Sequence, residues 1–322
     1  MQTSLKQPAR SDPASGPVPV AIEVRDLTMA YGTNEVVKGI DFAVKAGEIF
    51  AFLGPNGAGK TTTVEILEGF RSRSGGEVEV LGLDPAHATS AWRDRVGVVL
   101  QSSVPEPDLN VRETIDLYAG FYRQPRSTDE ILALTGLEAQ AMTRNRRLSG
   151  GQQRRLDVAL ALVGDPDVLF LDEPTTGFDP AARRTAWETI AGLKELGKTV
   201  FLTTHYLDEA EYLADRIAVI DGGRIVAVGT PANLGGRDRQ PSAVRFALVP
   251  DLDRGGLPGG LADIARGLDD DRIEFDSLDA AADLLMISEW AALRGARVER
   301  LEVIRPSLEA TYLALTNGGK GS

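Results

Sequence analysis

The sequence predicts an α/β fold in two domains, and three observations carry that prediction. First, the runs at residues 49–53, 96–100, 168–171 and 199–203 are almost continuously apolar, the pattern of strands buried on both faces of a parallel sheet. Second, segments 22–27, 36–44 and 77–80 alternate apolar and polar residues over all or part of their length, as expected for an antiparallel sheet with one wet face. Third, the text becomes Gly-rich and charged from Gly235 to Gln240, after which short strand and helix patterns resume.

In chain order, Pro8, Pro13, Pro17 and Pro19 lie among Ser, Gln and charged residues without an apolar signal-peptide core, so residues 1–20 read as a disordered leader. Strand 49–53 runs into a glycine loop that opens a helix, and strand 77–80 follows the Gly75-Gly76 turn. Helical patterns at 111–122, 128–134 and 151–162 form a helical subdomain inserted at about 102–164. The first domain then spans 21–235. Beyond it, strands at 243–249, 272–275 and 297–303 and helices at 261–268, 278–293 and 307–315 predict a small α+β domain over 236–316, with 317–322 as a tail.

Composition narrows the function classes. The chain has 322 residues, which at roughly 100 to 200 residues per domain allows two domains and a sizeable core. A net charge of −12 gives a polyanion no general attraction to this surface, so nucleic acid is not an expected partner. With no cysteine there is no disulfide, thiolate metal site or Cys nucleophile, and two histidines make a His-rich zinc site improbable. No apolar run approaches the roughly 20 residues a membrane-crossing helix needs. The expected setting is the cytoplasm.

Each buried run ends on chemically suggestive residues, and in open α/β sheets ligands bind outside the carboxyl ends of the strands, so these endings predict one shared site. Gly54-Pro55-Asn56-Gly57-Ala58-Gly59-Lys60-Thr61-Thr62 contains the phosphate loop G-x-x-x-x-G-K-[ST] between a buried strand and a helix. Its glycines let backbone N–H groups curl around phosphates, the helix N-terminus adds partial positive charge, and Lys60 reaches the β- and γ-phosphates. Thr61 is the expected Mg²⁺ ligand. Strand 168–171 delivers Asp172 to the Mg²⁺ shell and Glu173 to orient or deprotonate an attacking water. Ser149-Gly150-Gly151-Gln152 has the spacing of an ordinary capping box, yet its glycines bare a second helix N-terminus suited to a phosphate.

Taken in order, residues 54–62, Gln101, Leu148-Ser149-Gly150-Gly151-Gln152, the strand ending in Asp172-Glu173, the Thr175-Thr176-Gly177-Phe178-Asp179-Pro180 segment and His205 resemble the nucleotide-binding subunit of an ABC transporter over about residues 22–233. The resemblance implies a RecA-like P-loop core, ATP and Mg²⁺ as cofactors, and a head-to-tail homodimer formed on ATP binding. In that dimer Ser149 and Gly151 of one subunit close on the γ-phosphate held by Lys60 of the other. It further implies that Tyr31 stacks on adenine and that Gln101 senses Mg²⁺ and γ-phosphate while linking to a membrane partner. His205 would contact the γ-phosphate beside Glu173, and Asp179 would communicate across the dimer. Phe178 stands where leucine is common, a conservative apolar change.

Such a subunit has no pore, so the resemblance implies a separate multi-spanning permease, contacted around Gln101 and residues 110–122, with the ATPase peripheral on the inner face of the membrane. The closing segment Ser307-Leu308-Glu309-Ala310-Thr311-Tyr312-Leu313-Ala314-Leu315-Thr316 is similar to that of daunorubicin-resistance-type exporter ATPases, which implies export of a drug-like or lipophilic compound. Two alternatives stay open: an importer ATPase, and a soluble ABC ATPase acting in DNA repair or translation.

Overall fold

The computed structural model describes residues 18–99, 106–249, 253–268 and 271–317. The predicted leader up to Pro17, Gln101 and the tail beyond Asn317 lie outside the described residues.

Strands β1 (Val20–Tyr31) and β2 (Asn34–Lys45) form a hairpin about a turn containing Gly32, whose φ of 63° suits glycine. They extend beyond the alternating stretches because register shifts let both faces change along their length. After β3 (Ile49–Leu53) and helix α1 (Lys60–Leu67), strand β4 (Gly75–Val80) pairs antiparallel with β1, which completes a three-stranded sheet in the order β2-β1-β4.

The short helix α2 (Ser90–Arg93) precedes β5 (Val96–Val99). The helical segment then contains α3 (Val111–Ala119), α4 (Thr128–Thr135) and α5 (Gly150–Leu162). Helix α3 is shorter than the 111–122 pattern predicts because Gly120 caps it. There follow β6 (Val168–Asp172), α6 (Pro180–Glu195), β7 (Thr199–Thr204), α7 (Leu207–Leu213), β8 (Arg216–Asp221) and β9 (Arg224–Gly229). These build a six-stranded sheet in the order β5-β6-β7-β3-β8-β9, parallel except for β9. All four apolar runs of the sequence are neighbours in it, and β8 is a further parallel strand that the sequence reading missed.

The two sheets meet through aromatic packing. Phe42 from β2 lies 5.6–5.8 Å, centroid to centroid, from Phe50 and Phe52 of β3 and from Phe201 of β7, and Phe170 of β6 lies 5.9 Å from Phe201. Such pairs contribute about 0.5–1.5 kcal/mol each beyond their burial, so the strand carrying the glycine loop is held from the antiparallel side. The other face of the large sheet is covered by α5, α6 and α7. Val111, Ile115, Ile131 and Leu132 of the helical segment share one core with Leu169, Leu171 and Leu202 of the sheet. Among the described residues the inserted helices therefore have no separate hydrophobic core.

The C-terminal region contains β10 (Ser242–Val249), α8 (Leu261–Ile264), β11 (Arg266–Gly267), β12 (Ile273–Ser277), α9 (Ala280–Leu293) and β13 (Arg297–Ile304). A four-stranded antiparallel sheet, β11-β12-β10-β13, packs on α9 around Val244, Phe246, Phe275 and Trp290. The predicted helix 261–268 stops at Ile264, because Ala265 turns to an extended ψ of 133° and Arg266–Gly267 pairs with β12.

A second difference concerns the boundary near residue 235. The terminal helix α10 (Leu308–Asn317) packs back on the first core, where Leu308 and Leu234 are both buried and Tyr312 lies against them. Arg237 ties the crossing by donating to Glu211 Oε1 at 2.8 Å and to the carbonyl of Pro306. Among the described residues no helix is long and apolar enough to cross a membrane.

Candidate functional site

Strand β3 stops at Leu53 and the chain enters the glycine loop in a confined space. A Cβ on Gly54 would sit 2.3 Å from the carbonyl oxygen of Ile220, so only glycine fits there. Gly59 has φ 105° and precedes α1 without a side-chain cap, which leaves the first backbone N–H groups of that helix free of a capping side chain. Lys60 folds back over the loop: its Nζ donates to the carbonyls of Gly54 at 2.9 Å and Pro55 at 3.2 Å and lies 3.3 Å from Glu173 Oε1. Asn56, Gly57, Gly59, Lys60, Thr61, Thr62, Glu173 and Val36 line a cleft of about 340 Å³, while Ala58 is buried beneath it.

The acids arrive from β6. Asp172 is buried; its Oδ2 accepts from Thr61 Oγ1 at 3.4 Å and its Oδ1 accepts from Thr203 Oγ1. Glu173 adopts φ 45°, a left-handed conformation that a non-glycine residue holds at some strain, and its N–H donates to Thr203 Oγ1 at 3.0 Å and to the Thr203 carbonyl. Its carboxylate accepts from Thr176 Oγ1 at 3.1 Å, and Oε1 also lies 3.3 Å from His205 Nδ1. Burial opposes ionisation of Glu173, yet the contact with His205 and the charge of Lys60 outweigh it and hold its pKa below the ordinary glutamate value. Lys60, Glu173 and His205 thus converge from the ends of three adjacent elements.

The chemistry of this donor set fits Mg²⁺. Thr61 and Asp172 offer a hydroxyl and a carboxylate next to each other. Mg²⁺ prefers oxygen ligands and is bound by one or two carboxylates with substrate phosphates and water, rather than by a cage of side chains.

A second cleft of about 320 Å³ forms at the N-terminus of α5, lined by Ser149, Gly150, Gly151, Gln152, Gly177, Phe178 and Asp179 together with Arg155 and α6 residues. Ser149 and Gln152 close the capping box reciprocally: Gln152 N–H donates to Ser149 Oγ at 3.3 Å, and Ser149 N–H donates to Gln152 Oε1 at 2.9 Å. Asp179 caps α6, its Oδ1 accepting from the N–H groups of Ala181 and Ala182 at 2.9 Å each.

Tyr31 lines neither cleft. It is 43% exposed at the end of β1 with the Arg71 guanidinium 5.2 Å from its ring centroid. Residues that the sequence reading did not single out complete the surroundings. Thr203 binds both Asp172 and the Glu173 backbone, and Arg154 of α5 donates to the carbonyls of Pro174 at 2.9 Å and Asp172 at 3.4 Å. Glu209 was the most legible omission, since an acid beside Ala210 and Leu213 on the buried side of a helix breaks the expected pattern.

The ABC transporter family pattern matches residues 37–176. "Nod factor export ATP-binding protein I" of Neorhizobium galegae is 43% identical over 231 residues, 70% of this chain and 67% of the relative. The protein of that name from Paraburkholderia xenovorans is 40% identical over 254 residues, 74% of this chain and 84% of the relative. Among solved structures, an ATP-binding subunit of an ABC transporter aligns with a TM-score of 0.59 at 28% identity, covering 66% of this chain and 90% of its own. A dimeric ATP-binding cassette in a post-hydrolysis state with ADP and phosphate aligns with a TM-score of 0.58 at 26% identity, covering 65% and 98%. The chain therefore belongs to the ABC transporter family as an ATP-binding, Mg²⁺-using ATPase subunit.

Proposed function

We propose that this chain is the energising subunit of an exporter, that it works as a homodimer on ATP binding, and that it drives a separate multi-spanning permease from the cytoplasmic face of the membrane. The observation that carries the site reading is the approach of both Lys60 and His205 to one carboxylate, Glu173, at 3.3 Å each, on the rim of the glycine-loop cleft.

In this reading the loop N–H groups and Lys60 bind the phosphates of ATP, with Tyr31 against the adenine. Thr61 and Asp172 hold Mg²⁺, assisted by Gln101, and the ion neutralises phosphate charge when bound. Glu173 stays ionised and so can orient a water and accept its proton, while His205 holds the carboxylate and reaches the γ-phosphate. The cleft at Ser149–Gln152, with Asp179 beside it, receives the nucleotide of a second copy. Dimer closure and reopening would then be passed to the permease.

Three features support the partner and the direction. At the end of α3, Leu117, Tyr118 and Phe121 are exposed, Phe121 by 74%, and the two rings pack edge to face at 6.0 Å. Such an exposed aromatic group suits an apolar docking helix. The export named for the relatives and the exporter-like closing segment around Leu308 and Tyr312 favour export over import. A drug-like or lipophilic cargo is the proposal for the substrate class.

Co-purification from membranes tests the assembly. The expected result is one multi-spanning partner retained with Glu173→Gln in the presence of ATP; recovery with a soluble substrate-binding protein in the same complex would overturn export.

A further inference from the structure

The most deeply buried acid of the ATPase half is one that the reading above does not use. Glu209, in α7, has no exposed surface. Its Oε1 accepts two hydrogen bonds, from Thr175 Oγ1 at 2.7 Å and from Trp187 Nε1 at 3.0 Å; its buried Oε2 accepts none of regular geometry, although the Thr204 hydroxyl lies near enough to the carboxyl to favour its charged form. A buried carboxyl with an incompletely satisfied oxygen destabilises a fold, and an apolar side chain of the same volume would avoid that. Burial accordingly pushes its pKa up, against the hydrogen bonds that pull it down.

What the carboxyl accomplishes is to join two short segments. Thr175 belongs to the loop between β6 and α6, the loop that begins with Glu173, includes Thr176 with its bond to the Glu173 carboxylate, and ends at Asp179. Glu209 lies one helical turn after His205. One oxygen atom therefore connects the loop that follows Glu173 with the helix that follows His205, and Trp187 brings α6 to the same point. The flanking contacts run the same way: Arg183 of α6 stacks on Tyr206 at 4.2 Å and meets Asp208, and Trp187 stacks on Tyr212 at 5.1 Å.

We propose that Glu209 is a positioning residue for ATP hydrolysis: its carboxyl fixes the 174–179 loop against α7, so that Glu173 and His205 keep their mutual contact while Asp179 is presented beside the Ser149 cleft. The inference rests on the assignment of Glu173 and His205 to the reaction. Glu209 is fully buried and lines neither the glycine-loop cleft nor the Ser149 cleft, so its loss affects turnover through the Glu173–His205 geometry and not through ATP binding at the glycine loop.

The experiment measures steady-state ATPase of the full chain with Glu209→Met, which keeps volume and removes the acceptor, and with Glu209→Gln, which keeps an oxygen for both donors. The expected result is a fall in kcat of about 10- to 100-fold for Glu209→Met, with KM for ATP within about twofold of the parent and kcat largely restored in Glu209→Gln. Thr175→Val should lower kcat in the same sense, and the double variant Glu209→Met with Thr175→Val should be no worse than the poorer single one. If Glu209→Met does not fold, the Thr175→Val and Glu209→Gln measurements carry the test. The proposal fails if kcat is retained in Thr175→Val or Glu209→Met while Glu173→Gln is inactive. If Glu173→Gln itself retains full turnover, the site assignment beneath the proposal fails instead.

Discussion

Two helix N-termini in this chain offer backbone N–H groups to clefts of nearly equal volume, about 340 Å³ at α1 and about 320 Å³ at α5, but they are prepared differently. At α1 the preceding residue is Gly59 in a left-handed conformation, no side chain caps the helix, and Lys60 lies folded over the loop with Glu173 beside it. At α5, Ser149 and Gln152 satisfy each other's backbone in a closed capping box, and Arg155 on the cleft wall donates to the carbonyl of Gly136 at 2.8 Å. The first end is preorganised for an anion and the second is self-sufficient until one arrives. A helix end left uncapped forgoes about 1 kcal/mol, which is tolerable where a ligand will complete it. The difference suits a subunit that binds nucleotide alone and joins a second copy afterwards.

The largest expected effect lies at the preorganised end. Lys60→Ala should weaken ATP binding by at least about 100-fold in titration calorimetry, since it removes the cation proposed to reach the phosphates; a change of less than about threefold would remove Lys60 from the site. Ser149→Arg should leave binding of ATP to the single chain within about twofold but abolish the ATP-dependent dimer in size-exclusion chromatography. Dimer formation at the normal ATP concentration would break the proposed division of labour. A moderate effect is expected for Gly59→Ala, whose added Cβ meets the Val36 carbonyl oxygen at 3.0 Å at a φ of 105°. Strain of about 1–3 kcal/mol should appear as a lower melting temperature together with weaker ATP binding.

Smaller still is Gln152→Ala, which opens one half of the capping box and should lower stability by about 0.5–1 kcal/mol in urea unfolding, with ATP affinity of the single chain unchanged. The opposite end of α1 supplies a pH test. Glu68, its C-cap, is pushed up to about 8 by burial, aided by the charges of Asp172 and Glu65. The folded chain therefore holds a proton that the unfolded chain releases above its ordinary pKa of 4.5, so this group's contribution to stability falls as pH rises from about 4.5 to about 8. Glu68→Gln should remove that slope and raise the melting temperature more at pH 8 than at pH 5; an equal shift at both pH values would refute it.

Both helix ends were legible in the sequence where other parts of the molecule were not, and the reason is physical. The glycine loop and the S-x-x-Q spacing are local chemistry: both depend on backbone conformation within a few residues, which the sequence writes directly. The four apolar runs were likewise readable, because a strand buried on both faces needs no partner to declare itself. By contrast, β8 escaped because Arg216 and Asp221 bracket its apolar centre, and helix 261–268 failed because pairing of Arg266–Gly267 with β12 outweighed local propensity. Thr175, Trp187 and Glu209 meet only across long sequence separations, so their association was invisible without the fold. Tyr31 was nameable only through the family resemblance, and its place outside both clefts required the structure.

The return of α10 to the first core alters what counts as a module. Leu234 and Leu308 bury each other's surroundings, and a Cβ on Gly235 would meet Thr311 Cγ2 at 2.9 Å, so the segments entering and leaving the four-stranded sheet lie side by side. In topological terms the C-terminal sheet is an insertion with both ends anchored in the ATPase half. Exchanging it between relatives would require two splice points, one after Leu234 and one before Leu308, and any force acting on the sheet would reach the ATPase half through paired strands of chain, as through a handle, instead of through a single tether.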